Sequence, residues 1–230
     1  QVSDESAAFQ LDWKQHMLQT VMGSDQPSAV RHLAGAYAAS DAEVAALRGS
    51  GASWITVGYA DNLAASPAAL FAVNPEGAAD RSWAWKSLMR GYNVLAAMTI
   101  SDPAADAATA TLLANLGDMR AFALRIGLGN LAPRNELCST GYCLANQTAG
   151  AAAYVVYAPA GGEVSVDLSA NPGTLFYEWM NPATGKSEPM SLVEGGGVQT
   201  LAAPFAGDAV LYVYSTPEMT SHIYMPVISN

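Results

Sequence analysis

Three carboxylates, Asp61, Glu76 and Asp80, flank the short apolar segment "ALFAV", ahead of the stretch "RSWAWKSLMRGYN". A carboxylate can give or take a proton in a transition state, so three that faced one cleft would be candidates for acid–base catalysis. Glu76 lies in a loop, where a solvated side chain is the plainer alternative. Trp83 and Trp85 have flat apolar faces that suit the C–H faces of sugar rings. Lys86 and Arg90, four apart on one helix face, can meet an acidic group or cap a neighbouring helix, and Asn93 adds a polar contact. Tryptophans two positions apart point to different sides of a helix, so at most one faces a given cleft. Core packing is the other reading for both.

A second chemical pair is Cys138 and Cys143 in "ELCSTGYCLAN". Gly141 permits the tight turn that would bring the sulfurs together. Closing so short a ring would contribute roughly 2 kcal/mol on the chain-entropy model. Two reduced structural thiols are the alternative. If a disulfide forms, the protein belongs to an oxidising compartment. A zinc site needs further ligands, and none of His16, His32 and His222 is near in sequence, so no metal is expected. G-x-S-x-G, Walker and H-E-x-x-H patterns are missing, and the G-x-G of "GLGNLAPRN" follows a helix, the wrong context for a dinucleotide. No cofactor is expected. "NQT" at Asn146 is a glycosylation sequon if the source is eukaryotic.

Positioning these residues takes a sizeable core, and 51% hydrophobic residues can supply it, while charged residues reach only 13%. At 230 residues the better prior is two domains. A net charge of −10 argues against a nucleic-acid partner, which needs a basic stripe. The acidity is concentrated late: from Glu136 onward there are eight acids and one base, Lys186. No apolar run approaches the roughly 20 residues that span a bilayer. A chain that begins at Gln1 without Met or a signal-peptide pattern is expected to have been processed from something longer.

The elements come in two periods. Apolar residues recur at helical spacing from Ser6 to Met22. "RHLAGAYA", "WITVGYA" and "ALFAV" read as buried strands. "SDAEVAALRGSG" reads as a helix with Ser40 and Glu43 spaced as a capping box. "SWAWKSLMRGYNVLAAM" reads as one helix, and "DPAADAATATLLANLGDMRAFALRIGLG" as another with Pro103 in its first turn. Such alternation to about residue 130 is the signature of a parallel α/β arrangement. Beyond Pro133, "AAYVVYAP", "EVSVDLSA", "TLFYEWMNP", "GGVQTLAAP" and "AVLYVYS" alternate in period 2 between Gly, Pro and Asn turns, which predicts an antiparallel β-sandwich. Its tyrosines and Trp179, at alternating positions, read as core or as an aromatic binding face.

"SWAWKSLMRGYN" with "NLGDMRAFALRIGLGNLAPRNELCSTGYCLAN" resembles the end of the catalytic barrel in apiosidase-like glycoside hydrolases, family 140 and its relatives. "AYVVYAPAGGEVSVDLS" and "YEWMNPATGK" are similar to the β-sandwich that follows that barrel, a domain labelled collagen-binding. "FQLDWKQHMLQTVM" and "GASWITVGY" resemble a late barrel helix and strand. The resemblance implies the late portion of a (β/α)8 barrel over residues 1–132 and a β-sandwich over 133–230. It also implies paired carboxylates at the ends of barrel strands. The strand before the two-tryptophan helix in that family ends in an acid–histidine motif. Here that place is held by "LFAV", Leu70–Val73, and Glu76 falls beyond it.

The expectation is therefore a secreted or periplasmic, glycoside-hydrolase-derived protein that associates with carbohydrate and is not competent in hydrolysis as this chain alone. Too few strands are present to close a barrel, so either another chain supplies the missing ones or open sheet edges drive self-association. The competing expectation is a non-catalytic structural or adhesive protein that assembles through those edges.

Overall fold

The computed structural model describes residues 12, 13, 15, 16, 35–38, 41–48, 54–57, 70–73, 80–95 and 107–215. Its first part holds a four-stranded sheet, β1 (Gly35–Ala38), β2 (Trp54–Val57), β3 (Leu70–Val73) and β4 (Asn93–Leu95). The strands lie in that order and every neighbour is parallel. Between β1 and β2 runs helix α1 (Asp41–Arg48), whose Val44 and Leu47, one turn apart, are both buried. The parallel alternation expected from the sequence is present. Of the expected first helix, residues 12, 13, 15 and 16 are helical. Ser40 and Pro103 lie outside the described residues.

One element differs from expectation. The helix that begins at Arg81 does not run on to Met98 but stops at Met89, as α2 (Arg81–Met89). Gly91 takes φ 82°, a conformation that stops a helix and that glycine adopts without steric cost. The chain then turns and Asn93–Leu95 pairs with β3. The parallel sheet so gains a fourth strand that was read as helix. Helix α3 (Ala107–Arg125) follows.

From residue 132 the pairing is antiparallel. A seven-stranded sheet contains β5 (Ala132–Pro133), β6 (Cys143–Asn146), β7 (Ala153–Ala158), β9 (Thr174–Asn181), β10 (Lys186–Ser187), β11 (Ser191–Glu194) and β13 (Ala209–Tyr214). Strand β13 lies centrally, between β7 and β9. A two-stranded sheet pairs β8 (Glu163–Asp167) with β12 (Val198–Ala202).

The large sheet is buried on both faces. Along β13, Ala209, Leu211 and Val213 join Val164 and Val166 of β8 in one core, while Val210, Tyr212 and Tyr214 join Trp85, Met89, Met119 and Phe122 of α2 and α3 in another. Strand β9 divides the same way, with Leu175 and Trp179 facing β8 and Met180 facing the helices. Two-sided cover explains why "AVLYVY" is apolar throughout rather than alternating with polar residues. The result is three layers: helices, large sheet, small sheet. Of the aromatic residues read as either core or binding face, Tyr154, Tyr157, Trp179, Tyr212 and Tyr214 are buried core, and Tyr177 is half-buried against it.

Candidate functional site

Where α2 and α3 meet the large sheet, a cleft of about 550 Å³ opens. Asp80, Arg81 and Ser82 at the start of α2, Thr111, Leu112 and Asn115 of α3, and Tyr157 and Asp208 from the sheet side line it. The local chemistry fixes each position. Asp80 is the N-cap of α2: its Oδ1 accepts the Trp83 backbone N–H at 2.7 Å, satisfying a donor the helix itself leaves free. Arg81 then grips Asp208, just before β13, through two parallel hydrogen bonds, Nε to Oδ2 at 2.9 Å and Nη2 to Oδ1 at 2.7 Å. Tyr157 of β7 donates to the same Oδ2 at 3.1 Å.

Burial pushes the pKa of Tyr157 up, so it stays a protonated donor. The hydrogen bond to Asp208 holds Arg81 above the usual guanidinium range. Asn115 is the unusual member. It is 8% exposed, it lines the cleft, and among the described residues its amide has no hydrogen-bond partner. Its amide atoms open onto the cleft, where water reaches them; among the described residues the side-chain polar atom sealed from water without a partner is Trp83 Nε1. A ligand hydroxyl would supply what the protein does not.

The sequence candidates fall in different places. Asp80 is in the cleft. Asp61 and Glu76 lie outside the described residues. Trp83 and Trp85 are both buried. Trp85 stacks on Tyr157 at 5.9 Å and meets Phe122 edge-on at 5.8 Å, so its faces are spent on packing. Lys86 and Arg90 share one partner, the Tyr142 ring, at 5.9 and 4.9 Å from its centroid. Asn93 is exposed on β4, opposite Phe71 of β3. Cys138 and Cys143 are thiols. Among the described residues no group of three His, Cys, Asp or Glu could hold a metal, and no helix is long and apolar enough to cross a membrane.

Sequence reasoning missed Arg81, Asn115 and Asp208, and read Tyr157 as core or as part of an aromatic binding face. The one legible signal was Asn115, a polar residue inside the apolar run "TLLANLG" of α3.

Residues 134–213 match a family model described as "Putative collagen-binding domain of a collagenase". The antiparallel half is similar to that domain. Among solved structures, one titled "Glycoside hydrolase" aligns at 14% identity and TM-score 0.48, covering 65% of this chain and 43% of that one. A glycoside hydrolase family 5 structure from Bacteroides vulgatus aligns at 16% identity and TM-score 0.49, covering 65% and 42%. The chain thus spans less than half the length of either structure. No curated protein matches it.

Proposed function

We propose that the chain is an extracellular, carbohydrate-associated protein derived from a glycoside hydrolase, whose described cleft binds a hydroxyl-rich ligand without hydrolysing it. The amide of Asn115, without a hydrogen-bond partner among the described residues and open to the cleft, carries this reading. The cleft carboxylates are already engaged. Asp80 caps a helix and Asp208 is held by Arg81 and Tyr157, so neither is poised as the acid or base of a glycosidic cleavage. Two further points support it: the resemblance of Trp83 to Lys186 to apiosidase-like enzymes, and four consecutive parallel strands in the order a late portion of a (β/α)8 barrel would show. In this reading residues 1–132 are the barrel-derived part and 133–230 the sandwich.

The test is calorimetric titration of the chain with a panel of soluble polysaccharides, in parallel with pull-down on fibrillar collagen and a reducing-sugar assay. Saturable polysaccharide binding with no sugar release is expected. Asn115→Leu should weaken it about tenfold, the equivalent of one hydrogen bond of about 1.4 kcal/mol. Sugar release by this chain alone, or polysaccharide binding indifferent to Asn115→Leu, would overturn the reading. Collagen binding without polysaccharide binding would transfer the function to the sandwich.

A second reading rests on the parallel sheet. Each of β1 and β4 has one edge unpaired among the described strands, and such edges invite a further strand. In this reading the chain is a structural protein that assembles through them. Light scattering coupled to size exclusion separates the two: a monomer near 23.9 kDa removes the assembly reading, and a large or polydisperse mass moves it ahead.

A further inference from the structure

Outside the cleft, one pair of nucleophilic side chains has no role so far. Cys138 and Cys143 bracket a turn at Gly141, φ 72°, and share one core, with Cys143 buried in it and Cys138 packed against it. The turn is held from both sides. The Arg134 N–H donates to the Cys143 carbonyl at 2.8 Å, and the Cys143 N–H donates to Asn135 Oδ1 at 3.4 Å. Cys138 is itself bridged to Val166 of β8, and the adjoining Ser139 exchanges hydrogen bonds with Ser165 at 2.9 and 3.0 Å. Cys143 belongs to the large sheet and Cys138 is tied to the small one, so the pair sits on the seam between them. Their exposure differs: Cys143 is fully buried and Cys138 half-buried.

We infer that Cys138 and Cys143 are a dithiol–disulfide couple, with Cys138 the entry sulfur and Cys143 the resolving one, oxidised by a low-molecular-weight disulfide. The Cys138 thiolate attacks one sulfur of the incoming disulfide, whose S–S bond breaks and releases a first thiolate. Cys143 then loses its proton to solvent and attacks the Cys138 sulfur, breaking the mixed disulfide and releasing a second thiolate. The protein dithiol is oxidised by two electrons and the small disulfide is reduced to two thiols, which take up the two protons. The product is a bond across the seam of the sandwich.

The order of attack follows from the surroundings. The neighbouring Cys143 thiol, then the Thr140 hydroxyl 3.3 Å away, pull the Cys138 thiol down to about 6, while Cys143 is pushed up by Cys138 and by burial. The nearest charges, Arg134 and Glu136, pair with each other at 2.6 Å. At pH 6 an entry thiol of this kind is about half ionised, roughly 150-fold more than an ordinary thiol. Its lower nucleophilicity offsets about tenfold, which leaves an advantage of about tenfold in rate.

The test uses the full chain, reduced, then incubated with oxidised glutathione and followed by intact-mass and peptide-mapping spectrometry. The wild type should lose two hydrogens, retain no glutathione and yield a peptide cross-linked between Cys138 and Cys143. Cys143→Ser should stop at one glutathione on Cys138, and Cys138→Ser should react at least tenfold more slowly than wild type. A wild type that keeps both thiols, or that holds a stable glutathione adduct, overturns the couple. That readout needs neither variant to fold, and equal labelling of the two single variants overturns the assigned order.

Discussion

The pair that joins α2 to the large sheet gives the most exacting test of the fold. Arg81 and Asp208 form a bidentate ion pair whose side chains are 29% and 10% exposed. Breaking a fully buried pair costs about 3–5 kcal/mol, and an open surface pair contributes about 0–1 kcal/mol. This one lies between, because water reaches Arg81 but hardly reaches Asp208. Arg81→Met strands a nearly buried carboxylate with Tyr157 as its remaining partner, and should cost about 2–3 kcal/mol. Asp208→Asn keeps an oxygen for Tyr157 and leaves Arg81 free to turn to solvent, so about 1–2 kcal/mol is expected. The double variant should cost less than the sum, with a coupling energy of about 1.5 kcal/mol.

Urea unfolding followed by tryptophan fluorescence is the assay, since Trp85 stacks on Tyr157 beside the pair. The slope m should stay constant while the midpoint falls, and Tm should drop by about 5–10 °C for Arg81→Met, on about 2–4 °C per kcal/mol for a chain of this size. Additive costs with Arg81→Met below about 0.5 kcal/mol would show an ordinary solvated surface pair, and the reasoning fails. A wild-type unfolding curve in two separate steps would also refute it, because the shared core of helices and sheet requires them to melt together.

Three other outcomes follow from the same packing. Trp85→Ala removes a side chain 1% exposed between Tyr157 and Phe122, and should cost about 3–5 kcal/mol by chemical denaturation; a cost under about 1 kcal/mol would mean α2 is not seated on the sheet. Gly161 has φ +64°, and a Cβ there would lie 2.1 Å from the Gly207 carbonyl oxygen, so Gly161→Ala must move one loop and should destabilise by more than about 2 kcal/mol, against little change for Gly129→Ala, where a Cβ meets nothing. The Cys138 thiol pulled down to about 6 makes the reduced protein pH-sensitive in a defined direction. A depressed acid gives stability that is present above its unfolded value of about 8.5 and is lost as pH falls through about 6, so the gap in urea midpoint between wild type and Cys138→Ser should widen from pH 6 to 8.5. Parallel curves would sink that assignment.

Much of the architecture was legible because it is written in local pattern. The strands at "WITV", "LFAV", "AYVVYA" and "AVLYVY" and the long helix ending at Arg125 show periodicities that tertiary contacts did not override. The miss at Asn93–Leu95 came from reading apolar spacing across Gly91, whose left-handed backbone is the stronger signal. Continuous apolar runs in β7 and β13 already argued for cover on both faces, and treating them as one side of a two-layer sandwich left no place for α2 and α3. The cleft was hidden for another reason. Arg81 and Asp208 stand 127 positions apart, and no spacing rule relates residues that only the docking of two layers brings together.

That docking links stability to binding. The cleft is framed by α2 and α3 on one side and by Tyr157 and Asp208 on the other, so a ligand held by Asn115 and the Arg81–Asp208 pair spans the seam that keeps helices on the sheet. Such a ligand binds only the docked state, and at a hundred times its Kd it should add about 2.7 kcal/mol to stability. Asn115→Leu separates the two effects. Replacing an amide that makes no hydrogen bond to a described residue should change the stability of the unliganded protein by less than about 1 kcal/mol, while the ligand-induced rise in Tm falls by more than half at the same ligand concentration. A variant that loses stability without ligand would show that the amide is satisfied within the protein, and the cleft would lose its claim as a binding site.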